Sequence, residues 1–397
     1  MSNIVKKPLK ILYHHRVAAQ DGQSVHIKEL TAAFKEMGHE LIFIGPSLRP
    51  KEFGQENGLL ALVRKVLPQF MQEILEILYG YRAYDKLLKA YNTHKPDILY
   101  ERHNLFLPAG GKLKAKTGIP YLLEVNAPLV EERSKYSGLQ LKSYASKLEA
   151  ATWCAADMTF PVSNALAGKL RIAGVKDTHI TVMHNGINHE DYVGIDKNRI
   201  RDKYSLKGRI VLGFTGFLRE WHRLDHVISM IANFPADSSP HLLVVGEGPA
   251  VETCEQLARE LEISDRVHFS GFKTRDEIPE YLAAMDIALQ PAVTDYASPL
   301  KIFEYMESSL AIIAPDQPNI REILTHREDA LLFDPQDFAA AEDEILQLVT
   351  DTKLRKQLGK AAKAKITDQQ YTWLDNAKRI TEIAENLLQA KNIEPPV

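Results

Sequence analysis

The sequence predicts an α/β protein built as two doubly wound parallel-sheet domains. Three observations predict it. Short apolar runs rich in β-branched and aromatic residues alternate with helix-spaced segments, the order that builds parallel sheets from βαβ units. The series is interrupted once, at mid-chain, by a polar charged stretch, and then restarts. The chain has 397 residues, too many for one ordinary core and enough for two.

In the first series, LKILYHH (9–15) is the opening strand, followed by the loop RVAAQDGQ and a helix over SVHIKELTAAFKEMGHE that stops at Gly38. ELIFIGP is the second strand. The pattern repeats as DILYE, AGGKLKAKTG and IPYLLEVN, and again as DMTFPVS, NALAGKLRIAG and ITVMHNG. Between them, Gly58 to Tyr91 reads as an amphipathic, aromatic-rich helical segment with Pro68 inside it. Its apolar face either packs on the sheet or lines a cleft, or else meets a bilayer or a lipid acceptor.

The break falls near Asn188–Lys207, NHEDYVGIDKNRIRDKYSLK. The second series runs RIVLGFTG, HLLVVGEG, RVHFSGF, DIALQPA and LAIIAPD, with helical segments between, and YTWLDNAKRITEIAENLLQA reads as a terminal helix. The expected domains are 1–190 and 191–370, with 371–397 packing back onto the first. Strands of this kind are buried on both faces.

Composition excludes several classes. With 45% hydrophobic and 25% charged residues the chain has the make-up of a soluble globular protein. Cys154 and Cys254 are the only cysteines, which argues against a disulfide framework and for a reducing, cytoplasmic setting. The apolar part of MSNIVKKPLKILYHH is too short for a secretory signal, and no apolar run approaches the ~20 residues of a membrane span. Residues 1–200 hold 27 Lys/Arg against 20 Asp/Glu, and residues 201–397 hold 22 against 32. This asymmetry is either chance or the mark of a basic domain facing an anionic partner such as phospholipid. No basic run interleaved with aromatics points to nucleic acid.

Chemistry in open α/β sheets sits beyond the carboxyl ends of strands, so the loops there carry the candidates. The most informative stretch is Asp286–Leu324. It holds a helix start at Ser298-Pro299, with Glu304 six residues after Ser298. A Ser before Pro is a strong start signal, and the free N–H groups of such an end bind anions. Anion site plus carboxylate describe a nucleotide diphosphate with its ribose. Gly22 precedes the first helix, and Gly246-Glu247-Gly248-Pro249 opens another; glycines let backbone N–H groups approach a phosphate. Phe269-Ser270-Gly271-Phe272 ends a strand, and Phe272 is either a wall for a flat base or a core residue. The loop Thr215–Arg223 carries Gly216, Arg219, His222 and Arg223, and arginine matches phosphate oxygens in a bidentate way. The histidines of Tyr13-His14-His15 and of Tyr100–His103 lack the spacing of a zinc site. A serine elbow, a Cys–His pair and a G-x-x-x-x-G-K-[ST] loop are all missing from the sequence.

Taken together, these motifs resemble the retaining glycosyltransferases of family 4. SPLKIFEYM with the following APD…REIL resembles the donor-nucleotide motif of that family, and VMHNGIN its interdomain motif. The Gly216 loop, GEGP, VHFSGF and the YTW helix fall in family order, and the resemblance spans essentially the whole chain. It implies the GT-B fold: two Rossmann-like domains facing across a cleft, the second holding a nucleotide-sugar donor (UDP- or GDP-sugar) and the first a saccharide or lipid-linked acceptor. It implies retention of the anomeric configuration and chemistry without a metal or other cofactor. By position, Glu304 would bind the ribose; Ser298, Leu300 and Lys301 would lie at the diphosphate; Gly22 would approach it from the first domain. Asn126 stands where many members place an active-site histidine, and Asn126, Arg219 and Lys301 become the catalytic candidates. Gly216, His222, Arg223, Gly246, Gly248, Phe272 and Tyr296 complete the donor set. Tyr296 occupies a place where many members have a glutamate, and the family's arginine and lysine in the Gly216 loop fall at Phe217 and His222. The expected setting is surface polysaccharide or glycolipid synthesis, in the cytoplasm or at the inner face of the cell membrane. The alternatives are a nucleotide-sugar epimerase or phosphorylase, a non-catalytic subunit of a glycan-assembly complex, or a plain sugar-binding module.

Overall fold

The computed structural model describes residues 7–17, 22–46, 67–235 and 239–393. The chain divides into two compact units, one of residues 1–184 with 373–397 and the other of residues 185–372.

Among the described residues the first unit holds five parallel strands: β1 (Lys10–His14), β2 (Glu40–Ile44), β3 (Ile98–Arg102), β4 (Tyr121–Val125) and β5 (Met158–Pro161), in the order β2-β1-β3-β4-β5. Every residue of β3 and β4 is buried. The helices are α1 (Gly22–Glu36), α2 (Gln69–His94), α3 (Ala109–Thr117), α4 (Leu129–Tyr136), α5 (Lys142–Ala155) and α6 (Asn164–Ile172). Ser163 caps α6, its hydroxyl accepting from Leu166 N at 3.1 Å. The expected strand ITVMHNG is only a single bridge between Ile180 and Thr159. Thr181 N and Met183 N do bond to Thr159 O and Pro161 O. Pro161 has no N–H to donate in return, so the ladder stops.

Among the described residues the second unit has six parallel strands: β6 (Val211–Thr215), β7 (His241–Val245), β8 (Val267–Phe269), β9 (Ile287–Leu289), β10 (Ala311–Pro315) and β11 (Leu331–Phe333). Their order is β11-β10-β9-β6-β7-β8. Strand β11 was not among the expected strands. Its helices are α7 (Lys197–Lys203), α8 (Leu224–Asn233), α9 (Val251–Glu260), α10 (Ile278–Ala283), α11 (Leu300–Glu307), α12 (Pro318–Arg321), α13 (Phe338–Thr350) and α14 (Thr352–Asp368). Apolar clusters fill both faces of the sheet, one around Phe303, Met306 and Ile312, the other around Phe214, Ile228 and Leu242.

The last helix, α15 (Trp373–Ile393), belongs to the first unit. Trp373 meets His26 of α1 edge to face at 4.7 Å, and Thr381 Oγ1 lies 3.0 Å from His39 Nε2.

Candidate active site

In each sheet the strand order reverses at one point, and ligands of open α/β sheets bind there, beyond the carboxyl ends. In the second unit that point lies between β6 and β9, because the chain moves outward from β6 to β8 and then returns to build β9–β11 on the other side. Loops Gly216–Arg223 and Gln290–Pro299 leave these two strands. The Tyr305 hydroxyl ties their ends together. It accepts from Thr215 N at 3.0 Å and Thr215 Oγ1 at 3.1 Å, and donates to Leu289 O at 3.4 Å. Burial pushes the Tyr305 pKa up to about 12, so it stays neutral.

Helix α11 begins one residue later than the sequence suggests: Leu300 is its first residue and Pro299 precedes it. The N–H groups of Leu300 and Lys301 have no acceptor inside the helix by geometry, and no carboxylate occupies the first turn. The Lys301 side chain folds back under the Gly216 loop. Its Nζ lies 4.0 Å from the centroid of the Phe214 ring. Gly216 has φ +121, and a Cβ there would stand 3.2 Å from that Nζ. Among the described residues, no carboxylate or hydrogen-bond acceptor is within bonding reach of Lys301 Nζ. Burial lowers its pKa from the ordinary 10.5 to about 7. A desolvated cation with no counter-charge among the described residues, on the first turn of a helix with free N–H groups, is an arrangement suited to an anion.

His222 packs on the same Phe214 ring at 4.9 Å, edge to face. Its Nδ1 accepts from Arg219 N at 3.0 Å, which leaves Nε2 as the proton-bearing nitrogen. Burial, and then the Lys301 charge, lower its pKa to about 3. Position 222 therefore supplies a neutral N–H donor. The Arg219 guanidinium stacks on the exposed Phe217 ring at 5.1 Å and makes no ion pair among the described residues. Arg223 is turned away: its guanidinium lies 5.7 Å from the Phe338 ring and bonds to His226.

Three loops are knitted into one wall. Gly216 N bonds to Val245 O at 2.9 Å, Leu218 N to Glu247 O at 2.7 Å, and Gly246 N to Gly271 O at 3.1 Å. A Cβ on Gly246 would strike the Gly216 carbonyl, and one on Gly248 the Leu218 backbone. These glycines serve loop-to-loop packing. Phe272 stands exposed at the rim of this wall.

Glu304 is buried on the first turns of α11, and its Oε1 is paired with Arg275 Nη1. Ser298, also buried, is joined twice to Asn185: its Oγ accepts from Asn185 N at 3.1 Å, and its carbonyl accepts from Asn185 Nδ2 at 2.5 Å. The structure thus gathers Gly216, His222, Leu300 and Lys301 around one point, with Ser298 and Glu304 on flanking turns of the same segment. Sequence reasoning did not name Phe214, Arg275, Asn185 as a site residue, or Tyr305. Asn185 and Tyr305 carried a signal, inside VMHNGIN and SPLKIFEYM.

In the first unit, Asn126 follows β4 and donates from Nδ2 to Glu124 Oε1 at 2.5 Å. Glu124 is buried, paired with Arg102, accepting from Tyr100 OH at 3.0 Å and facing His26 Nδ1 at 3.3 Å. Burial works to raise the Glu124 carboxyl, but His26, Arg102 and the bonds from Asn126 and Tyr100 outweigh it, leaving its pKa below the ordinary value. Burial lowers the pKa of His26 to about 4. On the other face, Glu101 Oε2 bonds to His14 Nδ1 at 2.6 Å and Oε1 accepts from Tyr121 OH at 2.7 Å. Gly22 is the exposed first residue of α1. No cluster of three or more His, Cys, Asp or Glu able to hold a metal occurs among the described residues.

Comparison with known proteins follows the same division. Residues 20–191 match the family model described as Glycosyltransferase Family 4, and residues 196–365 match Glycosyl transferases group 1. The chain is 26% identical over 215 residues to the N-acetyl-alpha-D-glucosaminyl L-malate synthase of Bacillus anthracis, a match spanning 54% of this chain and 55% of that protein. It is 23% identical over 323 residues, 79% of this chain and 80% of the other, to a GDP-mannose-dependent alpha-mannosyltransferase of Mycobacterium tuberculosis. Its backbone superposes on the Anabaena protein HepE in complex with UDP with a TM-score of 0.72 at 18% identity, covering 95% of this chain and all of the other. The two family matches, falling one on each half of a chain with the GT-B fold, establish that it belongs to the group 1, family 4 glycosyltransferases.

Proposed function

We propose that the protein transfers a sugar, with retention and without a metal, from a UDP- or GDP-sugar to a saccharide or lipid-linked saccharide acceptor. One observation carries the donor half of this reading. Lys301 is a desolvated ammonium with no counter-ion among the described residues, on the first turn of α11 at the switch point of the sheet. Cleavage of the anomeric C–O bond leaves negative charge on the diphosphate. Donors fixed beforehand at that position stabilise the charge as it develops. In this reading Lys301, the Leu300 and Lys301 N–H groups and the His222 N–H face the diphosphate, and Arg219 adds charge from the exposed rim. Glu304 accepts from the ribose hydroxyls, releasing one oxygen from Arg275. The acceptor hydroxyl attacks from the face the phosphate leaves, and its proton passes to the departing phosphate oxygen. Asn126 and Gly22 are the first unit's candidates for contact with the transferred sugar and the diphosphate.

A lipid-linked acceptor at a bilayer surface is supported by α2. Its buried positions are Glu73, Gly80, Ala83, Leu87 and Ala90, while Phe70, Met71, Ile74, Leu75, Leu78 and Tyr81 are exposed along one face. Lys112 Nζ lies 4.2 Å above the Tyr81 ring, adding positive charge to the border of that face. No helix among the described residues is long and apolar enough to cross a membrane. Part of the expected segment, residues 58–66, lies outside the described residues.

Titration calorimetry with UDP, GDP and ADP in EDTA, then with their sugar conjugates and candidate acceptors, tests the reading. Selective micromolar binding of one nucleotide with retained-product transfer is expected. The buried Tyr296, in place of a glutamate, favours one other reading, a non-catalytic assembly subunit. Nucleotide binding without turnover on any acceptor would establish that reading, and no nucleotide binding by folded protein would sink the transferase.

A further inference from the structure

Five carbonyls of the loop between β9 and α11 accept from primary amides outside it or at its root. Gln290 Nε2 donates to Ala292 O at 2.5 Å, Gln317 Nε2 to Val293 O at 3.5 Å, and Asn185 Nδ2 to Ser298 O at 2.5 Å. Asn319, fully buried on α12, donates from Nδ2 to two carbonyls at once, Thr294 O at 3.0 Å and Ala297 O at 2.7 Å. Those two residues are the ends of a tight turn closed by Ala297 N to Thr294 O at 3.3 Å. Its two central residues are Asp295, exposed, and Tyr296, buried. The Oε1 of Gln290, the Oε1 of Gln317 and the Oδ1 atoms of Asn319 and Asn185 make no hydrogen bond among the described residues. What the loop takes from each of these side chains is therefore an N–H donor, and its carbonyls are consequently turned toward the amides.

We propose that these four amides are a positioning clamp for the donor-sugar wall, with Asn319 as its central member and Tyr296 as the residue it aims. The inference rests on the transferase reading above and adds to it a determinant of donor-sugar choice. The nucleotide end of the site depends on the α11 N-terminus, Lys301 and Glu304. The sugar end depends on where the Asp295–Tyr296 turn is held, and that is fixed from α12 and from Gln290. An aromatic ring in a pinned turn selects by shape. A loosened turn admits epimers and sugars that a rigid one rejects.

The experiment separates the two ends. Asn319→Asp keeps the size and removes the donors, placing a carboxylate against two carbonyls. The expected result is nucleotide affinity within roughly threefold of wild type, with kcat/KM for the nucleotide sugar down by at least about tenfold and selectivity between sugar epimers reduced. On a Tyr296→Ala background the same change should cost little more, because the clamp acts through that ring. Gln317→Leu, at a half-exposed position, provides a milder variant should Asn319→Asp fail to fold, with the same split between nucleotide and nucleotide sugar. Three outcomes overturn the clamp: unchanged transfer and selectivity in both variants; equal loss of nucleotide and nucleotide-sugar binding, which would make the loop a mere support for α11; or a full additional loss on the Tyr296→Ala background. Wild-type protein that binds no nucleotide would overturn the transferase reading, and the clamp with it.

Discussion

Glu304 and Arg275, 29 residues apart in the chain, are bonded carboxylate to guanidinium at the second turn of α11. Glu304 is buried, whereas the Arg275 side chain keeps about a third of its surface exposed. The pair therefore holds the buried carboxylate in place, in the position proposed above for the ribose. Glu304→Ala should weaken nucleotide binding by roughly 1–3 kcal/mol, the usual range for losing a charged hydrogen-bond acceptor. Arg275→Gln should have a smaller effect, and the double variant should fall short of the sum, since both act at one carboxylate. Calorimetry with the nucleotide alone checks this; strict additivity would show that the two groups work separately.

Glu124 gathers Arg102, Tyr100, His26 and Asn126 in the first unit. Removing its charge with Glu124→Leu leaves Arg102 buried without a counter-ion, which should destabilise the fold by about 3–5 kcal/mol in urea denaturation. The folded pKa lies below the unfolded one. Its stabilisation is then complete above the ordinary carboxylate range and is lost as pH falls through the folded value. Glu124→Gln should flatten that acid limb. Asn126→Ala, at the half-buried end of the same network, should leave the denaturation midpoint nearly unchanged and reduce turnover instead. A large midpoint shift for Asn126→Ala would make it a structural residue.

The apolar face of α2 predicts binding to vesicles. Leu75 and Leu78 are each about half exposed, so Leu75→Glu and Leu78→Glu should leave thermal unfolding unchanged. Fully burying a leucine is worth about 1.5–3 kcal/mol. The double variant should bind anionic phosphatidylglycerol vesicles at least about tenfold more weakly in sedimentation assays. Equal binding would direct the lipid reading elsewhere on the chain.

Much of the fold was legible because its signals are local. Apolar runs bounded by turn residues marked ten of the eleven strands, and Pro299 with its apolar helix marked α11. The failures have physical causes. The three-residue strand β11 is too short to show a period, and ITVMHNG has a strand's composition but faces Pro161, which cannot complete the ladder. The site was legible as a set of loops and much less as a set of contacts. Nothing local in Arg275 reveals its bond to Glu304, nor in Phe214 that Lys301 lies over it. Gly246 and Gly248 read as phosphate-approach glycines, and their contact with the Gly216 loop, whose backbone stands where their side chains would be, has no local mark in the sequence. Pairing across a sheet is decided by topology, which a window of sequence does not contain.

In its proposed place at the diphosphate, Lys301 makes nucleotide binding depend on pH, and its lowered pKa sets the sign. In the free protein its pKa is about 7, lowered by burial alone. The groups beside it do not compensate: His222 is neutral with a pKa of about 3, and Arg219 is a cation. A bound diphosphate supplies the missing counter-charge and raises the pKa again. At pH 8 the nucleotide's terminal phosphate, with a second pKa near 6, is already ionised. Binding at that pH should then take up roughly 0.9 proton at Lys301, and affinity should fall by up to about tenfold per pH unit above 7. Calorimetry at pH 8 in buffers of different ionisation enthalpy measures the uptake directly. Lys301→Arg should bind without it, because guanidinium stays charged throughout. Stability should move the other way. The folded pKa lies below the unfolded 10.5, so the unfolded chain holds more protons between pH 7 and 10.5 and stability rises with pH across that window. Lys301→Met should remove this rise, stabilise the protein at pH 7 and weaken nucleotide binding. Wild-type binding with no proton uptake at pH 8 would mean that Lys301 does not face the phosphates.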